Sequence, residues 1–207
     1  HLMEDALRRG FTTVRDVGGG DYGLWRALEE GWITGPRLFY CGRAFSQSGG
    51  HGDIRSPHEE GSPCGCEGRG ILAERVDGPD EIRKAAREAL RHGAHHLKIF
   101  VSGGIASPSD PIWMLQFSEE EILAIVDEAR RRRVYVAAHA YTAETIARAI
   151  RLGVRTIEHG NLIDAETAQA VAAAGAYVVP TLATYEAFRR SGAEDGVPDH
   201  LLAKLDQ

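Results

Sequence analysis

Apolar and polar positions along this chain fall into short strand-like runs separated by helix-like ones, each closed by a glycine or opened by a capping residue. Residues 2–9 read as a helix stopped by Gly10, and FTTVRDVGGG reads as a strand ending near Val17. A helix is expected over 21–30, closed by Gly31, and RLFYCG after Pro36 is the next strand. Residues 80–91 form a helix with Gly93 just past its end, followed by the strand HHLKIFVSG. Ser118 and Glu121 make a capping-box pattern that opens a helix over 119–132. VYVAAHA, VRTIEHG and AYVVPTL are three further strands; Thr142 and Asp164 cap the helices between them, which end at Gly153 and Gly175, and the tail is helical. The pattern thus predicts six strands alternating with helices.

Two stretches lack either period. Residues 43–70 are rich in Gly, Ser and Pro and carry His51, His58, Cys64 and Cys66, and SGGIASPSDPIWMLQF follows the fourth-helix-facing strand HHLKIFVSG. Connections this long are uncommon inside a compact domain and are usually functional when ordered. Loops after strands are long and returns are short. Regular alternation implies parallel strands with helical crossovers, either an open doubly wound sheet or part of an eight-stranded barrel. Phosphate-cradling glycine patterns are absent, and ligand-type residues recur at strand ends, which fits the barrel.

Composition narrows the function. The chain has 207 residues, 43% hydrophobic and 26% charged, enough for a sizeable α/β core. A net charge of -6 with basic residues spread along helices argues against nucleic acid as a partner. No run approaches the roughly 18 apolar residues of a membrane span. Three cysteines make no disulfide framework, so a reducing, cytoplasmic setting is expected. Cys64-Gly65-Cys66 offers too few ligands for zinc by itself. His1 opens a charged, helical segment without an initiator Met, and Gln207 falls in or just after a helix, so residues 1–207 read as one partial domain of a longer protein.

The candidate chemistry lies at the ends of three successive strands. Alternation puts His96, Lys98 and Phe100 on one face, opposite Leu97, Ile99 and Val101, so Lys98 points inward. A buried lysine is expensive unless paired or neutral. It forms an ion pair with an inward acid such as Asp16, or it is a neutral amine that captures carbon dioxide as a carbamate. His139 and His159 each follow an apolar strand and precede small or turn-forming residues, and imidazole is the commonest ligand of a catalytic divalent ion. Tyr141, two residues after His139, either hydrogen-bonds a substrate carbonyl or carboxylate or packs at the rim.

The succession KIFVSGGIASPSDPI, AAHAY, RTIEHGNL and VVPTLATYE resembles the amidohydrolase superfamily, and more closely its Xaa-Xaa dipeptidase and imidazolonepropionase-related branch. The resemblance spans nearly the whole chain. It implies a distorted (β/α)8 barrel with one or two divalent metals, usually zinc, of which this chain covers about strands two to seven. By that likeness Lys98 is the carboxylated lysine, His139 and His159 are metal ligands, and His51 helps hold the substrate. The family's first-strand His-x-His pair, its last-strand aspartate and its β-sandwich have no counterpart here. The implied activity is hydrolysis of an amide bond in a small molecule or dipeptide through a metal-activated water. A mononuclear deaminase or cyclic-amide hydrolase, and a non-catalytic module, are the competing readings. The unpaired edges of a partial barrel invite self-association.

Overall fold

The computed structural model describes residues 1–56, 58, 72–107 and 110–206; Cys64 and Cys66 lie outside them. In chain order the elements are α1 (Leu2–Arg8), β1 (Thr13–Asp16), α2 (Tyr22–Glu29), β2 (Arg37–Tyr40), β3 (Ala44–Ser46), β4 (Ala73–Arg75), α3 (Pro79–Arg91) and β5 (Leu97–Phe100). Then come α4 (Glu119–Arg131), β6 (Val136–Thr142), α5 (Ala143–Arg151), β7 (Thr156–Leu162), α6 (Ala165–Ala173), β8 (Tyr177–Val179), α7 (Leu182–Ser191) and α8 (Asp199–Leu202). The six expected strands are present. Two more, β3 and β4, are three residues each, too short for a period to register in the sequence.

Every strand pairing is parallel, and the larger sheet runs β4-β3-β5-β6-β7-β8. From β5 on, each new strand is added on the same side, without the reversal of a doubly wound sheet. β1 and β2 pair separately, and the His95 N–H donates to Tyr40 O at 2.9 Å, linking β2 to the start of β5. The sheet also curls. Arg15 on β1 reaches Glu158 on β7 at 2.7 and 2.9 Å, a contact across the inside of an arc. Parallel order, helical crossovers and this closure make the chain part of a (β/α) barrel.

The helix-facing side of the strands forms the core. Leu97 and Ile99 of β5, Val101 just after it, and Ala138 and Ala140 of β6 pack with Ile122 and Ile125 of α4 and Ile146 and Ala149 of α5. Burying each leucine or isoleucine contributes about 1.5–3 kcal/mol. The predicted caps form. Ser118 Oγ accepts from the Glu121 N–H while the Glu121 carboxylate accepts from the Ser118 N–H, and the Asp164 carboxylate accepts from the Thr167 N–H. Because alternating residues face the helices, the remaining ones of β5, β6 and β7 are turned to the inside.

Candidate active site

Lys98 pairs in register with Ala137, and Phe100 with His139, so Lys98 and His139 share the inner face, His139 one pleat nearer the strand ends. Lys98 is buried, and its Nζ lies 4.3 Å from the Phe100 ring centre. Its expected partner Asp16 is engaged elsewhere, accepting the Gly18 and Gly20 N–H groups at 3.0 and 2.8 Å. No ion pair to Lys98 forms among the described residues. Burial pushes its amine down from 10.5 to about 8, against the opposing pull of Glu158 and Cys41. The inward acid is Glu158, which the sequence reading did not single out, and Arg15 holds it in a bidentate pair.

His159 reaches the site by a backbone irregularity. Glu158 lies beside His139 in the ladder, so strict alternation would turn His159 away from the interior. Instead His159 adopts φ 79°, in the left-handed region that disfavours residues with a Cβ. Its imidazole then lies 4.6 Å from the His139 ring. Thr181, at φ 47°, caps α7 and meets His159 Nδ1 with its Oγ1 at 2.7 Å. Two strained residues in contact mark a place where geometry is held against a local cost of about 1–3 kcal/mol each.

Hydrogen bonds set which nitrogens are free. A carbonyl only accepts, so His139 Nε2–H donates to Gly103 O at 3.1 Å and Nδ1 keeps its lone pair. His159 Nδ1 contacts both Thr181 Oγ1 and Tyr185 Oη at 2.7 Å. A proton on Nδ1 leaves the Nε2 lone pair free; Tyr185 can then donate to Tyr141 Oη, and the Tyr141 proton is free for the mouth. Burial drives His139 well below its ordinary value and His159 down to about 3, so both imidazoles are neutral at pH 7. Burial also pushes the Tyr141 phenol up, so it stays a neutral phenol rather than a phenolate.

His51 stacks on His139, ring centres 4.2 Å apart. Its Nδ1 faces Ser107 Oγ at 2.7 Å and Asp110 Oδ2 at 3.2 Å. The ring crosses directly over Gly104, where a Cβ would lie 2.1 Å from His51 Cε1. The two consecutive glycines of SGG are therefore steric requirements; at Gly103 a Cβ would meet the Pro111 carbonyl at 1.9 Å. Tyr141 stacks on His159 at 5.2 Å and packs with Ile105 and Ile112, so it is both a rim residue and a site residue.

All five residues expected from sequence, Lys98, His139, His159, His51 and Tyr141, thus come together at one mouth. Ser107, Asp110, Gln116, Thr181 and Tyr185 join them unforeseen. Ser107 and Asp110 lie in KIFVSGGIASPSDPI, Thr181 and Tyr185 in VVPTLATYE and Gln116 in the loop that follows β5, and no period or spacing among them points to a shared site. The donor chemistry fits a divalent ion: two neutral imidazoles with Nδ1 and Nε2 free, and an unpaired buried lysine beside them. Among the described residues, no group of three or more His, Cys, Asp or Glu side chains is placed to hold a metal. No helix there is long and apolar enough to cross a membrane.

The chain is similar to known proteins over nearly its whole length. An amidohydrolase crystal structure is 55% identical and superposes with a TM-score of 0.93 over 99% of this chain. A prolidase crystal structure complexed with N-methylphosphonate-L-proline is 52% identical, with a TM-score of 0.95 over 99% of this chain. Ochratoxinase of Aspergillus niger is 36% identical over 97% of this chain. The chain spans about half the length of these relatives, 50% of each crystal structure and 43% of ochratoxinase. The amidohydrolase family profile matches residues 1–206, and the chain belongs to that family.

Proposed function

We propose that the mouth belongs to a metal-dependent hydrolase that cleaves a C–N amide bond in a dipeptide or similar small substrate. The observation that carries this reading is the convergence of two neutral imidazoles, His139 and His159, with the buried amine of Lys98, which makes no ion pair among the described residues. His139 Nδ1 and His159 Nε2 would hold a divalent ion, zinc by donor type. Lys98 would add its neutral amine to carbon dioxide, forming an N–C bond and releasing one proton, and present the carbamate oxygens as further ligands. When bound, such ions supply a nucleophile from water near neutral pH and polarise the scissile carbonyl. A mononuclear deaminase has no need of a bridging carbamate, so the buried lysine favours the amide hydrolase.

The remaining residues handle substrate. Tyr141 donates its phenolic proton to the carbonyl or the carboxylate of the substrate, and His51 Nε2 contacts it from the opposite wall. The relatives support this class: one is a prolidase whose ligand has a phosphonate on the proline nitrogen, where an Xaa-Pro substrate has its acyl group. A tetrahedral phosphonate there resembles the transition state of amide hydrolysis.

The test is a panel of Xaa-Pro dipeptides and N-acyl amino acids, with metal content measured alongside. The protein is expressed from its whole reading frame. Lys98→Ala and His139→Ala are expected to lose metal and to drop kcat/KM at least about a thousandfold, as loss of metal-ion catalysis removes several kcal/mol of transition-state stabilisation. Wild-type rates in either variant would end the proposal.

A further inference from the structure

Behind His51 lies a polar cluster tied to the far end of the chain. Lys204, in the short 3-10 turn Ala203–Asp206, donates to Gly104 O at 2.8 Å, Ser107 O at 2.7 Å and Asp110 O at 2.9 Å. These partners are 94 to 100 residues away in sequence. All three ammonium protons go to backbone carbonyls of one loop, which therefore forms a cation site. Ser107 Oγ and Asp110 Oδ2 meet His51 Nδ1, and Asp110 Oδ2 also accepts from the Gly104 N–H and Gln116 Nε2. Gln116 Oε1 accepts from the His51 N–H at 2.9 Å. Asp110 is fully buried, and its Oδ1 has no hydrogen-bond partner among the described residues. A carboxylate kept in such a place against its desolvation is justified by what its other oxygen orients.

We propose that Lys204 and Asp110 are positioning residues for His51: the ammonium pins the loop, and the carboxylate fixes the imidazole with Nε2 toward the substrate. The proposal rests on the reading of this mouth as a substrate site. It makes the tail a structural part of the active site and gives the site a dependence on a segment that touches no substrate.

Lys204→Ala, in the protein expressed from its whole reading frame, tests it with the best dipeptide of the panel. KM is expected to rise about tenfold with kcat changed less than about threefold, as hydrogen bonds to a charged group hold the loop. Added methylammonium should occupy the three-carbonyl site and restore KM in the variant without affecting wild type; a residue that merely stabilises the fold is not rescued in this way. Hydrogen exchange at the Gly104 amide, which needs no activity, should speed up in Lys204→Ala and slow again with methylammonium. Unchanged KM together with unchanged exchange overturns the positioning role. A wild type that hydrolyses nothing overturns the functional reading instead, and exchange at Gly104 then decides Lys204 on its own. Should Lys204→Ala not fold, Asp110→Asn keeps the shape and removes the charge, with the same exchange and KM effects expected and their absence refuting.

Discussion

Lys98→Met should stabilise the metal-free protein while removing its activity. In the folded chain the amine is held at about 8, and in the unfolded chain it returns to 10.5. Between those values the unfolded state binds a proton that the folded state does not, so stability rises with pH by about 1.4 kcal/mol per unit. Below about 8 both states carry the proton, and the folded state bears the whole deficit, about 3 kcal/mol. Methionine has similar length, carries no charge and fits the apolar contact with Phe100, so it escapes that penalty. The attraction of Glu158 is already contained in the value of about 8, so about 3 kcal/mol is the net deficit that methionine removes. The assay is chemical denaturation of wild type and Lys98→Met in chelated, carbon dioxide-free buffer from pH 7 to 10.5. The variant should be more stable by up to about 3 kcal/mol at pH 7, the gap closing through pH 8 to 10.5. A variant less stable than wild type at pH 7, or a gap independent of pH, would refute the reasoning that burial of the cation sets this amine.

Other outcomes follow from single contacts. Arg15→Met leaves the 5%-exposed Glu158 carboxylate without its bidentate partner, and denaturation should register a loss of about 3–5 kcal/mol. Gly104→Ala places a methyl on the His51 ring, so dipeptide hydrolysis should fall chiefly through a higher KM, read from steady-state kinetics at constant metal content. Tyr185→Phe removes the hydroxyl between His159 Nδ1 and Tyr141, and titration calorimetry should show zinc bound about tenfold more weakly. Ser118→Ala breaks the capping box of α4 and should lower stability by about 1 kcal/mol with activity intact, measured by melting and turnover together.

Local rules determined much of this molecule from sequence. Glycines past helix ends, the Ser118 and Glu121 box and the Asp164 cap located the helices, since these residues act within one turn of chain. The period of two on β5 placed Lys98 inside, and apolar runs ending in histidine marked His139 and His159. What lay beyond reach was anything set by distant packing. Alternation along β7 does not put His159 in the site; a left-handed residue held by Thr181 and Tyr185 does, and such strain pays only in tertiary context. Among the described residues Lys98 has no ion-paired acid, because Arg15, more than 140 residues from Glu158, takes that carboxylate. Asp110 lies within the stretch KIFVSGGIASPSDPI and Lys204 in the tail, but no spacing links them, and only the folding of the tail against the loop gives them a common purpose. Periodicity encodes which face a residue shows, whereas partnership across the barrel depends on how the sheet curls, which no local window contains.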